Sequence, residues 1–123
     1  MGVSMKLETQ YQADLKKKIE KRLPGSMVLK NDANSLTGIP DLLVLHEEFW
    51  ATLEVKRSAK EDYEPNQEWY LDKMAGMSFA ATIYPENEKE ILDELQRSFE
   101  SRRNARVPQP KQASLGKLRR RQA

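Results

Sequence analysis

The sequence predicts an α/β fold in which a mixed β-sheet lies between helices. The first observation is a strand hairpin, because two apolar runs rich in β-branched and aliphatic residues flank the segment 46–49. The second is that both faces of this hairpin carry apolar side chains, which is typical of a sheet covered on both sides. The third is a helix followed by a buried strand after the hairpin, which indicates a parallel crossover.

The first helix is predicted from Met5 to Leu23. Apolar residues recur there every four positions with Lys and Glu between them, and Pro24 and Gly25 end the pattern. A short strand is expected over Ser26–Lys30. The polar segment 31–37 then forms a loop that leads into the hairpin, where Gly38 permits a tight entry and Pro40 suits a strand start.

After the hairpin, a charged loop is expected up to Asn66. The pattern predicts a helix over Gln67–Ala75, capped by Asn66 or Glu64 and ended by Gly76. Its buried stripe is predicted to contain Tyr70, Met74 and Met77. A strand is expected over Ser78–Tyr84 and an amphipathic helix over Glu86–Phe99, whose apolar side consists of Ile91, Leu92, Leu95 and Phe99. The predicted order is therefore α-β-β-β-α-β-α.

Chain length and charge predict one folded domain with a basic tail. The 123 residues suffice for a single modest core, and charged residues make up 33% of them. The net charge of +2 hides an asymmetry, because the segment after Glu100 holds basic residues and no acids. We expect a domain over residues 1–101 and a disordered tail over 102–123 that binds phosphates. The tail's basic residues are Arg102, Arg103, Arg106, Lys111, Lys117, Arg119, Arg120 and Arg121.

Several classes of protein are disfavoured by composition. No run of eighteen apolar residues indicates a transmembrane helix, and no apolar signal segment is visible at the N-terminus. There is no cysteine, which excludes disulfides and thiolate metal sites. We expect a cytoplasmic protein that does not contact membranes.

The hairpin predicts a cluster of charged side chains at its open end. If the turn is centred on Glu47 and Glu48, Asp41 faces Glu54 in the antiparallel ladder. Lys56 then lies on the same face as Glu54. Two carboxylates directly opposite each other repel unless a cation lies between them. The alternative is a pair of solvated surface acids, but the apolar side chains on both faces of the hairpin favour a site.

The residues Gly38-Ile39-Pro40-Asp41, followed by Glu54-Val55-Lys56, resemble the signature of the PD-(D/E)xK nuclease superfamily. Gly-Ile-Pro-Asp at this spacing is similar to the small VRR-NUC nucleases of phages and to related enzymes that resemble Holliday-junction resolvases. The resemblance spans roughly residues 8–95. It implies a restriction-endonuclease-like αβββαβ core, to which this chain adds a C-terminal helix.

The resemblance also implies an active site. Asp41 and Glu54 would bind Mg²⁺ or Mn²⁺ together with the Val55 carbonyl, as suits oxygen ligands without Cys or His. Lys56 would orient or help to deprotonate the attacking water. Family members often carry a glutamate on the first helix that reaches the metal, which Glu8 matches by order. They also carry a glutamine after the Glu-x-Lys motif, which Gln67 matches. Read without the resemblance, Glu8 and Gln67 are ordinary exposed helix residues.

The expected function is hydrolysis of DNA by a metal-dependent endonuclease that selects branched or junction DNA. The alternatives are a non-catalytic DNA-binding or packaging accessory with the same fold, and an RNA-directed nuclease. Dimerisation is left open, with Trp50 and Trp69 as candidate exposed anchors. The candidate nucleic-acid contacts are Lys30, Asn34, Arg57, Arg119, Arg120 and Arg121.

Overall fold

The computed structural model describes residues 8–32 and 36–105, and their elements follow the predicted order. A short 3₁₀ turn over Pro85–Asn87 precedes the last helix. None of the described helices is long and apolar enough to cross a membrane. The elements are α1 (Glu8–Arg22), β1 (Met27–Lys30), β2 (Leu42–His46), β3 (Phe49–Val55), α2 (Gln67–Ala75), β4 (Phe79–Ile83) and α3 (Glu88–Ala105).

The four strands form one mixed sheet in the order β1-β2-β3-β4. The β1–β2 and β2–β3 pairs are antiparallel, and β4 is parallel to β3 as the crossover pattern predicts. Leu42 is paired with Leu53 and His46 with Phe49, so the predicted hairpin register is confirmed. Asp41 immediately precedes the first of these pairs, which places it at the level of Glu54.

One face of the sheet carries the main core. Leu15 of α1 and Phe99 of α3 are fully buried in one cluster with the β2 and β3 residues Val44 and Leu53. The opposite face is covered beside β3 and β4 by α2, where the Thr52 hydroxyl contacts Met74 Sδ at 3.5 Å. Since side chains alternate along a strand, Glu54 and Lys56 lie on this second face with Thr52.

Helix α2 has the predicted bounds but not the predicted buried stripe. Gln67 and Leu71 are its buried residues, whereas Met77 is 62% exposed. The helix has only nine residues, and the chain turns back into β4 before Met77 can reach the sheet. Asn66 occupies the N-cap position, as predicted, but it has φ of 74° and its side chain makes no capping bond.

Helix α3 is longer than predicted and extends to Ala105. It therefore continues past residue 101, where the domain boundary is predicted. Arg102 donates to the Ser78 hydroxyl at 2.6 Å, and Arg103 Nη2 pairs with the Glu47 carboxylate at 2.9 Å. These two partners, which lie in the turn between β2 and β3 and just before β4, hold a polar helix end that has no apolar face of its own. The rest of the predicted tail, including Arg119, Arg120 and Arg121, lies outside the described residues, as do Asn34 and the helix start at Met5.

The loop before β2 lies directly against the loop before α2. Gly38 has φ of +94°, and a Cβ built on it would lie 2.7 Å from the Cβ of Asn66 and 2.8 Å from the Pro65 carbonyl oxygen. Only glycine, which lacks a Cβ, permits both the positive φ and this approach. Gly38 therefore brings together the loop that leads to Asp41 and the loop that leads to Gln67.

Candidate active site

The centre of the site is the carboxylate pair Asp41 and Glu54. The Val55 N–H donates to Asp41 Oδ2 at 2.8 Å, and the Asn31 N–H donates to the Asp41 carbonyl at 2.8 Å. Asp41 is thus held just before the start of β2 by its side chain and its backbone. Glu54 lies near the end of β3 and is only 2% exposed. Neighbouring strands deliver the two acids to one edge of the sheet, as the hairpin register predicts.

Glu54 is an acid in an environment that opposes its negative charge. Burial, followed by the charge of Asp41 and a hydrogen bond shared with it, raises the pKa of Glu54 from 4.5 to about 8, and Lys56 offsets only part of this. No hydrogen-bond donor reaches Glu54 Oε1, although that atom is buried. An unpaired buried carboxylate oxygen is costly unless a proton or a cation satisfies it.

Lys56 and Gln67 complete the site through one connected network. Lys56 Nζ donates to Gln67 Oε1 at 2.8 Å and lies 3.6 Å from Glu54 Oε2. Gln67 Nε2 donates to the same Glu54 oxygen at 2.7 Å. The Glu64 N–H also donates to Gln67 Oε1, at 2.7 Å. Gln67 is therefore a buried bridge between the lysine and the acid.

Glu8 lies at the side of the site, on a cleft of about 510 Å³ that it shares with Asp41 and Lys30. Burial is the main cause that raises the pKa of Glu8, and the charges of Asp41 and Glu61 add to it. Within residues 8–32 and 36–105, no three His, Cys, Asp or Glu side chains converge to form a metal site by themselves. The acidic centre of the site is therefore the pair Asp41 and Glu54, and Glu8 lies beside it.

The predicted nucleic-acid contacts are only partly described. Lys30 is exposed on the cleft, and Arg57 is exposed and pairs with Glu61 at 3.9 Å. Of the candidate aromatic anchors, Trp69 is 60% exposed whereas Trp50 is half-buried. Two side chains beside the site were not predicted. Tyr63 places its ring 5.6 Å from Lys56 Nζ and its hydroxyl 2.7 Å from Thr82 Oγ1.

The second residue that sequence reasoning missed is Gln12, a buried glutamine of α1. Its Nε2 donates to Glu8 Oε2 at 3.2 Å. One signal could have revealed it, because Gln12 is four residues after Glu8 and three before the core residue Leu15. No comparable pattern marks Tyr63, which lies in an irregular loop.

We predict that Glu54→Gln makes the metal-free protein relatively more stable as the pH rises. The folded-state pKa of about 8 exceeds the ordinary 4.5, so protonated Glu54 stabilises the fold fully below about pH 4.5. That stabilisation is lost as the pH rises through 8, and glutamine has no proton to lose. The difference in Tm between the variant and the wild type, measured with chelator from pH 5 to pH 9, should grow in favour of the variant. A constant difference across that range would contradict the prediction.

Comparisons with known proteins agree with this geometry at the level of the fold. No protein-family model and no curated protein matches the sequence. A search of solved structures finds a "VRR_NUC domain" at a TM-score of 0.57 and 23% sequence identity, covering 73% of this chain and 94% of that one. The chain therefore has the restriction-endonuclease-like fold of this VRR-NUC domain.

Proposed function

We propose that the protein is a metal-dependent endodeoxyribonuclease that hydrolyses phosphodiester bonds at the edge of the sheet where Asp41 and Glu54 meet. The observation that carries the proposal is the buried carboxylate of Glu54 beside the half-buried carboxylate of Asp41, connected to Lys56 and Gln67. Placing a buried acid next to a second acid destabilises the folded chain. The arrangement is explained if the acids bind a cation and if that cation serves a reaction.

The residues present fit a divalent ion with oxygen ligands. Glu54 Oε1 is a buried acceptor without a partner, and burial, followed by the charge of Asp41, raises the pKa of Glu54 although Lys56 is close. Asp41 and Glu54 would hold Mg²⁺ or Mn²⁺, with the Val55 carbonyl as a further ligand and Glu8 at the side. When bound, the ion would stabilise negative charge on the scissile phosphate and acidify water.

The side chains around the pair have separable roles in this proposal. Lys56 is 3% exposed, and its ammonium lies between Gln67 and Glu54, where it would orient the attacking water and balance charge on the phosphate. Gln67 holds both partners, since its amide oxygen faces the lysine and its amide nitrogen faces the acid. This bridge orients Glu54 and leaves its second oxygen unpartnered.

The proposed substrate is branched or junction DNA, approached from the side of the exposed cations Lys30 and Arg57. No element of the described chain resembles a base-reading module, which favours selection by DNA structure over selection by sequence. Each chain offers one carboxylate pair, so cutting both strands of a junction would require two copies.

The test is a cleavage assay on single-stranded, duplex, flap and four-way DNA, with Mg²⁺, with Mn²⁺ and with chelator. We expect cleavage only with metal and fastest on the branched substrates. Retardation of DNA without cleavage under every condition would instead support a non-catalytic DNA-binding accessory. Cleavage restricted to an RNA panel run in parallel would support an RNA-directed nuclease.

A further inference from the structure

Gln12 is a polar residue in a position that packing alone would give to an apolar one. It is only 5% exposed, next to the buried Tyr11 of α1. Its amide nitrogen donates to Glu8 Oε2 at 3.2 Å, one helical turn away. Its amide oxygen is buried and has no hydrogen-bond partner.

The chemistry of Glu8 determines which way this amide faces. An ionised carboxylate only accepts hydrogen bonds, so the amide nitrogen of Gln12 must face Glu8 and the oxygen must face elsewhere. Leaving a buried amide oxygen unpaired costs about 1–3 kcal/mol. A methionine of similar size would avoid that cost. The Gln12 amide therefore keeps its hydrogen bond to Glu8 at the cost of an unpaired buried oxygen.

The surroundings of Glu8 indicate what this contact is for. Gln12 lines the cleft of about 510 Å³ together with Glu8 and Asp41. The charge of Asp41 contributes to the raised pKa of Glu8, although burial is the larger cause. The carboxylate oxygens of Glu8 and Asp41 on this cleft are ligands that suit a hard cation.

We propose that Gln12 is a positioning residue for the divalent ion. Its amide nitrogen holds the Glu8 carboxylate on the cleft beside Asp41, where that carboxylate would bind the ion. The inference rests on the part of the proposed function that concerns binding of a divalent ion. It does not depend on whether DNA is cleaved. Residues that orient metal ligands typically contribute about 10- to 100-fold to metal affinity.

The test is calorimetric titration of the full chain with Mn²⁺. We expect Gln12→Met to weaken Mn²⁺ binding by about 10-fold or more. The Tm of the metal-free variant should be unchanged or higher, because the unpaired oxygen is gone. A merely structural role would lower the metal-free Tm and leave the affinity of the folded fraction unchanged.

The chain contains a matched control in α3. Gln96 Nε2 donates to Glu100 Oε2 at 3.4 Å across one helical turn, so Gln96→Met removes the same kind of pair away from the cleft. This variant should bind Mn²⁺ like the wild type. The route through Glu8 is tested by a double-mutant cycle, in which adding Gln12→Met to Glu8→Gln should cause little further loss.

Four results would overturn the inference: no Mn²⁺ binding by the wild type, unchanged affinity in Gln12→Met, an equal loss in Gln96→Met, or additive losses in the cycle. The proposed DNA cleavage is tested separately. If Mn²⁺ binds and Gln12→Met weakens it, but no nucleic acid is cut, then the proposed function fails while the role of Gln12 stands.

Discussion

Replacing Asp41 by Asn, or Glu54 by Gln, is expected to lower metal-dependent DNA cleavage by at least about 100- to 1,000-fold, the usual effect of losing a group that stabilises transition-state charge. Both substitutions keep the shape of the side chain and remove its charge. An asparagine at position 41 can still accept the Val55 N–H, so the start of β2 should remain in place. The expected loss therefore arises from the chemistry of the site and not from unfolding.

The measurement is the cleavage rate on the preferred substrate at saturating Mg²⁺, with thermal unfolding of each variant alongside. Asp72→Asn is the matched control, because it removes one carboxylate from an exposed position of α2. It should retain wild-type activity. Substantial cleavage by either Asp41→Asn or Glu54→Gln would refute the assignment of the carboxylate pair.

Gly38→Ala is expected to cause a large loss of stability for a change of one methyl group. An alanine at φ of +94° carries a conformational cost of about 1–3 kcal/mol. The added Cβ would also collide with the Pro65 carbonyl and with Asn66. Backbone cannot yield as a flexible side chain does, so the two loops must separate. The variant should therefore unfold at a clearly lower temperature, by roughly 4–8 °C for each kcal/mol lost.

Two other glycines separate the conformational cost of the positive φ from the steric collision of the added Cβ. Gly25 has φ of +90° but nothing within 4 Å of its added Cβ, so Gly25→Ala carries the conformational cost without the collision. Gly76 has φ of −75° and only ordinary contacts, so Gly76→Ala should be close to neutral. The Tm is expected to be highest for Gly76→Ala, lower for Gly25→Ala and lowest for Gly38→Ala. If Gly38→Ala is no worse than Gly25→Ala, the two loops do not touch as described.

Local patterns predicted much of the fold because each depends on neighbouring residues. Hairpin register follows from the turn, so the pairing of Leu42 with Leu53 could be read from the chain. The bounds of α2 follow from residue type, since Gly76 ends the helix. The end of α3 could not be read in this way. Its last turn is held by Arg102 and Arg103, whose partners Ser78 and Glu47 are distant in sequence.

The contacts of the candidate site also fall into those set by local rules and those set by tertiary packing. Asp41, Glu54 and Lys56 could be placed at one end of the hairpin from the chain alone, because side-chain alternation and strand pairing are local rules. The packing of distant segments was needed to show that Gln67 bridges Lys56 and Glu54, that Gln12 holds Glu8, and that Gly38 lies against Asn66. Three of these contacts join separate elements, and that of Gln12 matters only because α1 packs beside the hairpin. Helix packing is set by the whole core, which no short pattern encodes.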